Sequence, residues 1–319
     1  MIRALAALTL LTSAAPVAAE VPFLDWPVDC TLGETCFIED YPDTVPGEGA
    51  LDHACGPKTR DGHNGTDIAL MSFAQLEAGI TVRAAAPGIV AAMRDGMEDR
   101  PVSPANAAEI KGRECGNAVR ITHETGFETL YCHLKRGSVR VTTGMPVEAG
   151  TPLGQIGMSG ESNFPHLHLT LLRDGSAVDP FAPDAATCAN ASAPLWIDTP
   201  GYDRAGLFTA GFSDRSPTLD GVATGSARVT RVPPDAALVL YGFAFHVEDG
   251  DLIALVVEGP GGPLFSQDVP IADGQTRLFR AFGRAAPPQG WAPGDYRGTV
   301  TLSRDGRVLA RRFADVTVD

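Results

Sequence analysis

Through the middle of the chain, apolar and polar residues alternate in short runs, each closed by residues that favour turns. Period-two alternation over so short a stretch predicts half-buried strands. Such strands are expected at Thr81–Ala84, Gly88–Met93, Ala118–Thr122, Thr129–His133, Pro152–Ile156 and His166–Leu172, with Ile68-Ala69-Leu70 running inward as another. His123-Glu124-Thr125-Gly126 and Arg173-Asp174-Gly175 supply turns between them. Helical spacing is rare. Ser72-Phe73-Ala74-Gln75 has the form of a capping box and Gly79 that of a stop, which predicts a short helix over 73–78. Residues 95–114 lack periodicity and read as an insertion, a lid beside a groove.

Asp179-Pro180-Phe181-Ala182-Pro183 ends this pattern, and residues 184–194 form a linker rich in Pro, Ala and Asp. Beyond it, over 195–319, strands are expected at Gly221–Thr230, Ala237–Phe245, Leu252–Glu258, Pro263–Val269, Thr276–Phe282, Gly294–Arg304 and Arg307–Thr317. Well-spaced strands joined by turns such as Arg304-Asp305-Gly306-Arg307 predict a small β-sandwich. Residues 20–60, rich in Pro, Asp and Gly, read as an irregular arm wrapped around the unit at 61–183.

Composition fits this picture and narrows it. At 319 residues and 44% hydrophobic content the chain can bury a sizeable core in two domains. Its 25 prolines, 35 glycines and 7% aromatic content favour a turn-rich, mainly β protein. The net charge of −14 argues against nucleic-acid binding, which needs clustered Lys and Arg, and against electrostatic adhesion to anionic envelope polymers. Residues 1–19 have the form of a secretory signal: Arg3, an apolar stretch from Ala4 to Leu11, and Val17-Ala18-Ala19 before a mature start at Glu20. The apolar stretch is too short to span a bilayer, and no later segment could. Export makes disulfides the expected state of Cys30, Cys36, Cys55, Cys115, Cys132 and Cys188. The short loop favours Cys30 with Cys36, and a hairpin would juxtapose Cys115 and Cys132. Cys55 is then left for Cys188. Thiolate zinc ligation is the alternative, but no C-x-x-C spacing occurs.

The candidate chemistry lies in histidines and one carboxylate. In a strand, His166 and His168 project from one face while Leu167, Leu169 and Leu171 point into a core. H-x-H alone fits a solvated or core-satisfied pair equally well. His63 and Asp67 lie among Gly62 and Gly65, which free the backbone to approach a metal, though an isolated H-x-x-x-D is common by chance. Tyr131 and His133 are expected to share a face, with Leu130 and Cys132 on the other. His123 is expected to be solvated in its turn, His246 to be a lone surface residue, and His53 is a candidate to lie over a cleft.

Taken together, H-N-G-T-D-I, V-R-A-A-A-P-G-I-V, G-N-A-V-R-I-T-H, Y-C-H-L, V-E-A-G-T-P-L-G-Q-I-G and S-G-E-S-N-F-P-H-L-H-L, closing on D-G-S-A-V-D-P, resemble the LytM/lysostaphin-type zinc metalloendopeptidases. The resemblance covers about residues 60–181. It implies a mainly β fold: a lysostaphin-like antiparallel β-sheet catalytic domain, here followed by the sandwich-like domain. It implies one Zn2+ per chain held by His63, Asp67 and His168, with His133 and His166 as the non-ligating catalytic pair; on chemical grounds a protonated imidazole or Tyr131 is then expected to steady charge on the carbonyl oxygen. The implied reaction is hydrolysis of peptide cross-links in bacterial peptidoglycan by zinc-activated water, in the periplasm or outside the cell. The implied partners are peptidoglycan stem peptides and a candidate envelope regulatory protein, with no nucleic acid and no membrane span after signal removal. The alternatives are a non-catalytic regulator that activates an amidase and an endopeptidase acting on secreted proteins. Leu169-Thr170 stands where the family often has Phe-Glu. Cys132 replaces a small residue, consistent with a disulfide on the far face. The 95–114 insertion and the arm before residue 60 are extra.

Overall fold

The computed structural model describes residues 23–185, 187, 188, 190 and 192–319; the expected export signal at 1–19 lies outside them. The first part of the described chain runs β1 (Cys36–Asp40), β2 (Thr66–Leu70), α1 (Phe73–Ala78), β3 (Thr81–Arg83), β4 (Gly88–Arg94), α2 (Ala107–Ile110), β5 (Asn117–Thr122), β6 (Phe127–Leu134), β7 (Pro146–Val147), β8 (Pro152–Gln155), β9 (His166–Arg173) and β10 (Ser176–Val178). Its main sheet is antiparallel, in the order β1-β2-β9-β6-β5-β4-β7 with β10 added to β9, and β3 pairs with β8 apart from it. Alternation along β9 decides the orientation. Leu167, Leu169 and Leu171 enter a core with Ile68, Leu70, Val119, Ile121 and Trp196, which leaves His166 and His168 on the opposite face. The arm is not irregular throughout, because Cys36–Asp40 pairs antiparallel with β2 as an edge strand. All of β1 is buried, so its sequence lacks the alternation by which a strand is read.

The second part runs β11 (Gly206–Ser213), α3 (Leu219–Thr224), β12 (Arg231–Val232), β13 (Leu238–Val247), β14 (Leu252–Gly259), β15 (Gly262–Pro270), β16 (Gln275–Arg284), β17 (Gly294–Arg304) and β18 (Arg307–Val318). It forms two facing sheets, β11-β13-β16 and β12-β18-β17-β14-β15, around a core that includes Leu240, Ala244, Leu255, Val300 and Val316. The three-stranded sheet is apolar on both sides. Tyr241, Phe243 and Phe245 leave its other face to pack with Phe37, Ala69, Met71 and Phe164 of the first part. Ala69 is paired with His166 across β2 and β9, so the sandwich roofs part of the face that carries the histidines.

One expectation fails in this part. Gly221–Thr230 is not a strand: Thr218 Oγ1 accepts from the Gly221 N–H at 3.1 Å, Gly225 closes the turn at φ 82°, and the segment between them is α3. The sequence reading also passes over β11. Near the start, α1 forms where expected, but Ser72 makes no side-chain cap. Gln75 Oε1 instead accepts from the Met71 N–H at 2.7 Å, so the box does not close. The disulfides are Cys30–Cys36, Cys55–Cys188 and Cys115–Cys132, as expected. Among the described residues, no helix is long and apolar enough to cross a membrane.

Candidate metal centre

Antiparallel pairing sets Asp67 opposite His168, and the turn before β2 brings His63 to the same point. His63 Nε2 lies 3.1 Å from Asp67 Oδ2 and 3.2 Å from His168 Nδ1, and His168 Nδ1 lies 2.7 Å from Asp67 Oδ1. A tetrahedral zinc with bonds of about 2.0–2.1 Å separates its donors by roughly 3.3 Å, so the triangle is of the right size. The outer ring atoms support the same reading. His63 Nδ1 donates to the Tyr41 carbonyl at 2.7 Å, and His168 Nε2 faces Asn64 Oδ1 at 3.2 Å and Thr170 Oγ1 at 2.9 Å. With those protons placed outward, two neutral imidazoles and a carboxylate turn lone pairs on one another. A shared proton satisfies one such contact, whereas a dication satisfies all of them. Gly65 makes room, since a Cβ there would sit 2.5 Å from His168 Nε2.

Charge follows this geometry. Burial alone would raise the Asp67 carboxyl, but the imidazoles of His63, His166 and His168 outweigh it and hold the group well below the usual carboxylate range. Burial opposes protonation of His63, yet Asp67 raises it overall. For His168, burial prevails over Asp67 and the ring is lowered.

The structure also brings His133 and His166 here, with ring centroids 4.6 Å apart. His166 Nδ1 donates to the Phe164 carbonyl at 2.8 Å, and its Nε2 stands 3.7 Å from Asp67 Oδ1. His133 Nδ1 donates to the Ser159 carbonyl at 2.7 Å, leaving Nε2 as the free ring nitrogen. Burial, with the neighbouring His166 and His168, pushes His133 well below the ordinary histidine value, so it is neutral at neutral pH. It does not reach the site by strand alternation. His133 has φ +60°, and this left-handed residue turns its ring to the face that carries Cys132, away from that of Tyr131. Tyr131 is wholly buried in the core, where its hydroxyl accepts from the Ala85 N–H at 2.8 Å. The expected role for Tyr131 at a carbonyl oxygen is therefore withdrawn. The Cys115–Cys132 disulfide likewise lines the groove beside His133 and not the far face.

The remaining histidines depart from expectation too. His123 is buried, bonded to the Pro87 carbonyl at 2.7 Å and to Thr129 Oγ1 at 2.8 Å. His246 is buried with Nε2 on the Glu39 carbonyl at 3.0 Å. His53 stacks on Phe181 and beside Tyr41, away from the groove.

The groove over the site measures about 850 Å³. Its walls include residues the sequence did not single out: Arg60, Glu39 and Asp40 from the arm side, Val102 and Glu114 from the 95–114 segment, and Thr276 and Arg277 from the sandwich. That segment is held in place, since Asp99 accepts from the Met158 and Arg136 N–H groups and Val102 N–H bonds the Ser162 carbonyl. The only hint in the sequence was the departure of these stretches from alternation.

The family model described as Peptidase family M23 matches residues 61–180. The DD-carboxypeptidase/endopeptidase Mpg of Neisseria meningitidis is 41% identical over 73 residues, 22% of this chain. The match spans 16% of that relative's length, and the Mpg of Neisseria gonorrhoeae matches to the same extent. Among solved structures, the catalytic domain of the prophage-encoded M23 protein EnpA from Enterococcus faecalis aligns at 22% identity with TM-score 0.32, covering 49% of this chain and 96% of that one. The catalytic domain of lysostaphin from Staphylococcus simulans aligns at 20% identity with TM-score 0.29, covering 46% and 88%. Residues 61–180 of this chain, which hold the whole His-Asp-His triangle and both further histidines, are a Peptidase family M23 domain.

Proposed function

We propose that the chain is an exported zinc metalloendopeptidase that hydrolyses peptide cross-links of bacterial peptidoglycan, with residues 61–183 as the peptidase and 195–319 as an accessory sandwich. The observation that carries this reading is the convergence of His63, Asp67 and His168 at one point, with His133 and His166 facing it across an open groove. Zinc held by that triangle supplies Lewis acidity, lowering the pKa of a water and polarising a scissile carbonyl. His133 enters the reaction neutral, with Nδ1 fixed on the Ser159 carbonyl, so Nε2 is the atom that accepts a proton and later returns it to the leaving amine. His166 is fixed through Nδ1 on the Phe164 carbonyl, so it holds developing charge only as the imidazolium, with Nε2–H as the donor. The cross-link as substrate is supported by the family and by the Neisseria relatives, which are named DD-carboxypeptidase/endopeptidase. A periplasmic or secreted location is supported by the disulfides, which persist in oxidising compartments.

The test is digestion of purified sacculi with zinc-loaded protein, chelated protein and a His133→Ala variant, followed by product analysis. Cleaved cross-links with the loaded parent alone are expected. A metal-free protein that releases no fragments but stimulates an amidase would instead establish the non-catalytic reading. Cleavage of a secreted protein in place of sacculi would redirect the substrate.

A further inference from the structure

Asp67 has a partner that the triangle does not explain. Arg60 Nη2 donates to Asp67 Oδ2 at 3.1 Å, while its Nη1 bonds Oδ2 of Asp40. Asp40 ends β1, where a bulge between Ile38 and Asp40 lets Glu39 and Asp40 both line the groove. Each of these is gripped from the sandwich. Arg277 Nε donates to Glu39 Oε1 at 2.8 Å, and His246 Nε2 bonds the Glu39 carbonyl at 3.0 Å and lies 3.4 Å from Asp40 Oδ1. His246 takes φ +47° at the end of β13, a conformation a bulky residue keeps only when its surroundings hold it. Its ring is 6% exposed. A guanidinium suits the post of Arg60, because its planar fork reaches two carboxylates at once in fixed geometry, which an ammonium does not.

We propose that Arg60 is a positioning residue for the metal ligand Asp67, held in place from the sandwich through Asp40 and His246. This rests on the zinc reading above. Asp67 Oδ2 is tied by the guanidinium, so the carboxylate is presented in one orientation to the imidazoles of His63 and His168. Coulomb's law gives the opposite expectation for a role through charge alone: a cation beside a dication weakens metal binding, so removing it would tighten the site. The sign of the change therefore separates positioning from mere charge.

The experiment measures zinc affinity of the full chain by competition with a chromophoric chelator, with circular dichroism and thermal melting to show that each variant is folded. Arg60→Met is expected to bind zinc about 10–100-fold more weakly, and Arg60→Lys to recover part of the loss. His246→Asn tolerates the left-handed backbone and is too short to reach Asp40, so it is expected to weaken binding in the same direction by less. The double variant Arg60→Met/His246→Asn should then bind no more weakly than Arg60→Met alone, since both act through one path. Unchanged or tighter binding in Arg60→Met would overturn the proposal, as would additive losses in the double variant. A parent that takes up no zinc would sink the metal reading and this one together, whereas a zinc-binding parent with an indifferent Arg60 sinks only this one.

Discussion

Asp67 and His133 lie in the same site but are expected to fail differently when removed. Asp67→Ala deletes the carboxylate on which two imidazoles and a guanidinium converge, so metal is lost; His133→Ala touches no donor of the triangle, so zinc stays while hydrolysis falls by about 10²–10⁴-fold. Metal analysis beside a cleavage assay distinguishes the two. Gly65→Ala drives a Cβ against the His168 ring and the Leu169 carbonyl, and should show its loss first in zinc content. A residue outside the groove adds a pH dependence of its own. Burial pushes Asp179 up from 3.8 to about 7, although its carboxylate accepts from the Phe181 N–H. Among the described residues its Oδ2 has no hydrogen-bond partner and lies 4.0 Å from His53 Nδ1, which lacks one there as well. The folded state holds this proton where the unfolded chain has released it, so stability falls as pH rises from about 3.8 to about 7. Asp179→Asn keeps the acceptor for Phe181 and removes that slope. Its unfolding free energy in denaturant should exceed the parent's at pH 8 by a few kcal/mol more than at pH 4.

Among the elements, β9 was legible because one of its faces meets a core and the other a groove, so alternation records the environment directly. β6 was legible in position but not in its facing. Its last turn of backbone is left-handed at His133, and no pattern of apolar residues announces a positive φ in a histidine. β1 was missed because burial on both faces erases alternation, and its partners in the sandwich lie more than 200 residues away in the chain, as with Arg277 and Glu39. The triangle itself was legible only through the resemblance, since H-x-x-x-D and H-x-H are each weak alone and His168 stands 101 residues from Asp67. Arg60, by contrast, gains its meaning from a contact with Asp40 that only folding creates. The Cys115–Cys132 bond ties the end of β6 to the entry of β5, directly beside His133. Replacing both cysteines by serine should cost about 3 kcal/mol in denaturant unfolding, the chain-entropy value for so short a loop. It should also lower both kcat and zinc affinity, because Cys132 adjoins His133 in β6 and pairs with His168 across β9.

At the scale of the whole molecule, the sheet β11-β13-β16 serves two cores at once. Its inner face belongs to the sandwich, and its outer face, through Phe208, Tyr241, Phe243 and Phe245, closes over Phe37, Met71 and Phe164. A chain ended after residue 194 would expose Phe37, Ala69, Met71 and Phe164 and lose the groove wall at Thr276 and Arg277. Such a fragment is expected to aggregate on expression, and the intact chain to melt in one calorimetric transition rather than two. Shared ownership of one layer also limits evolutionary traffic. Peptidase units of this kind could be shuffled freely between proteins if they were sealed on every side, but here a recombination event that exchanged the trailing half would have to import a matching set of rings. The two halves are thus bound to change in step, each mutation at the seam selecting its answer across it.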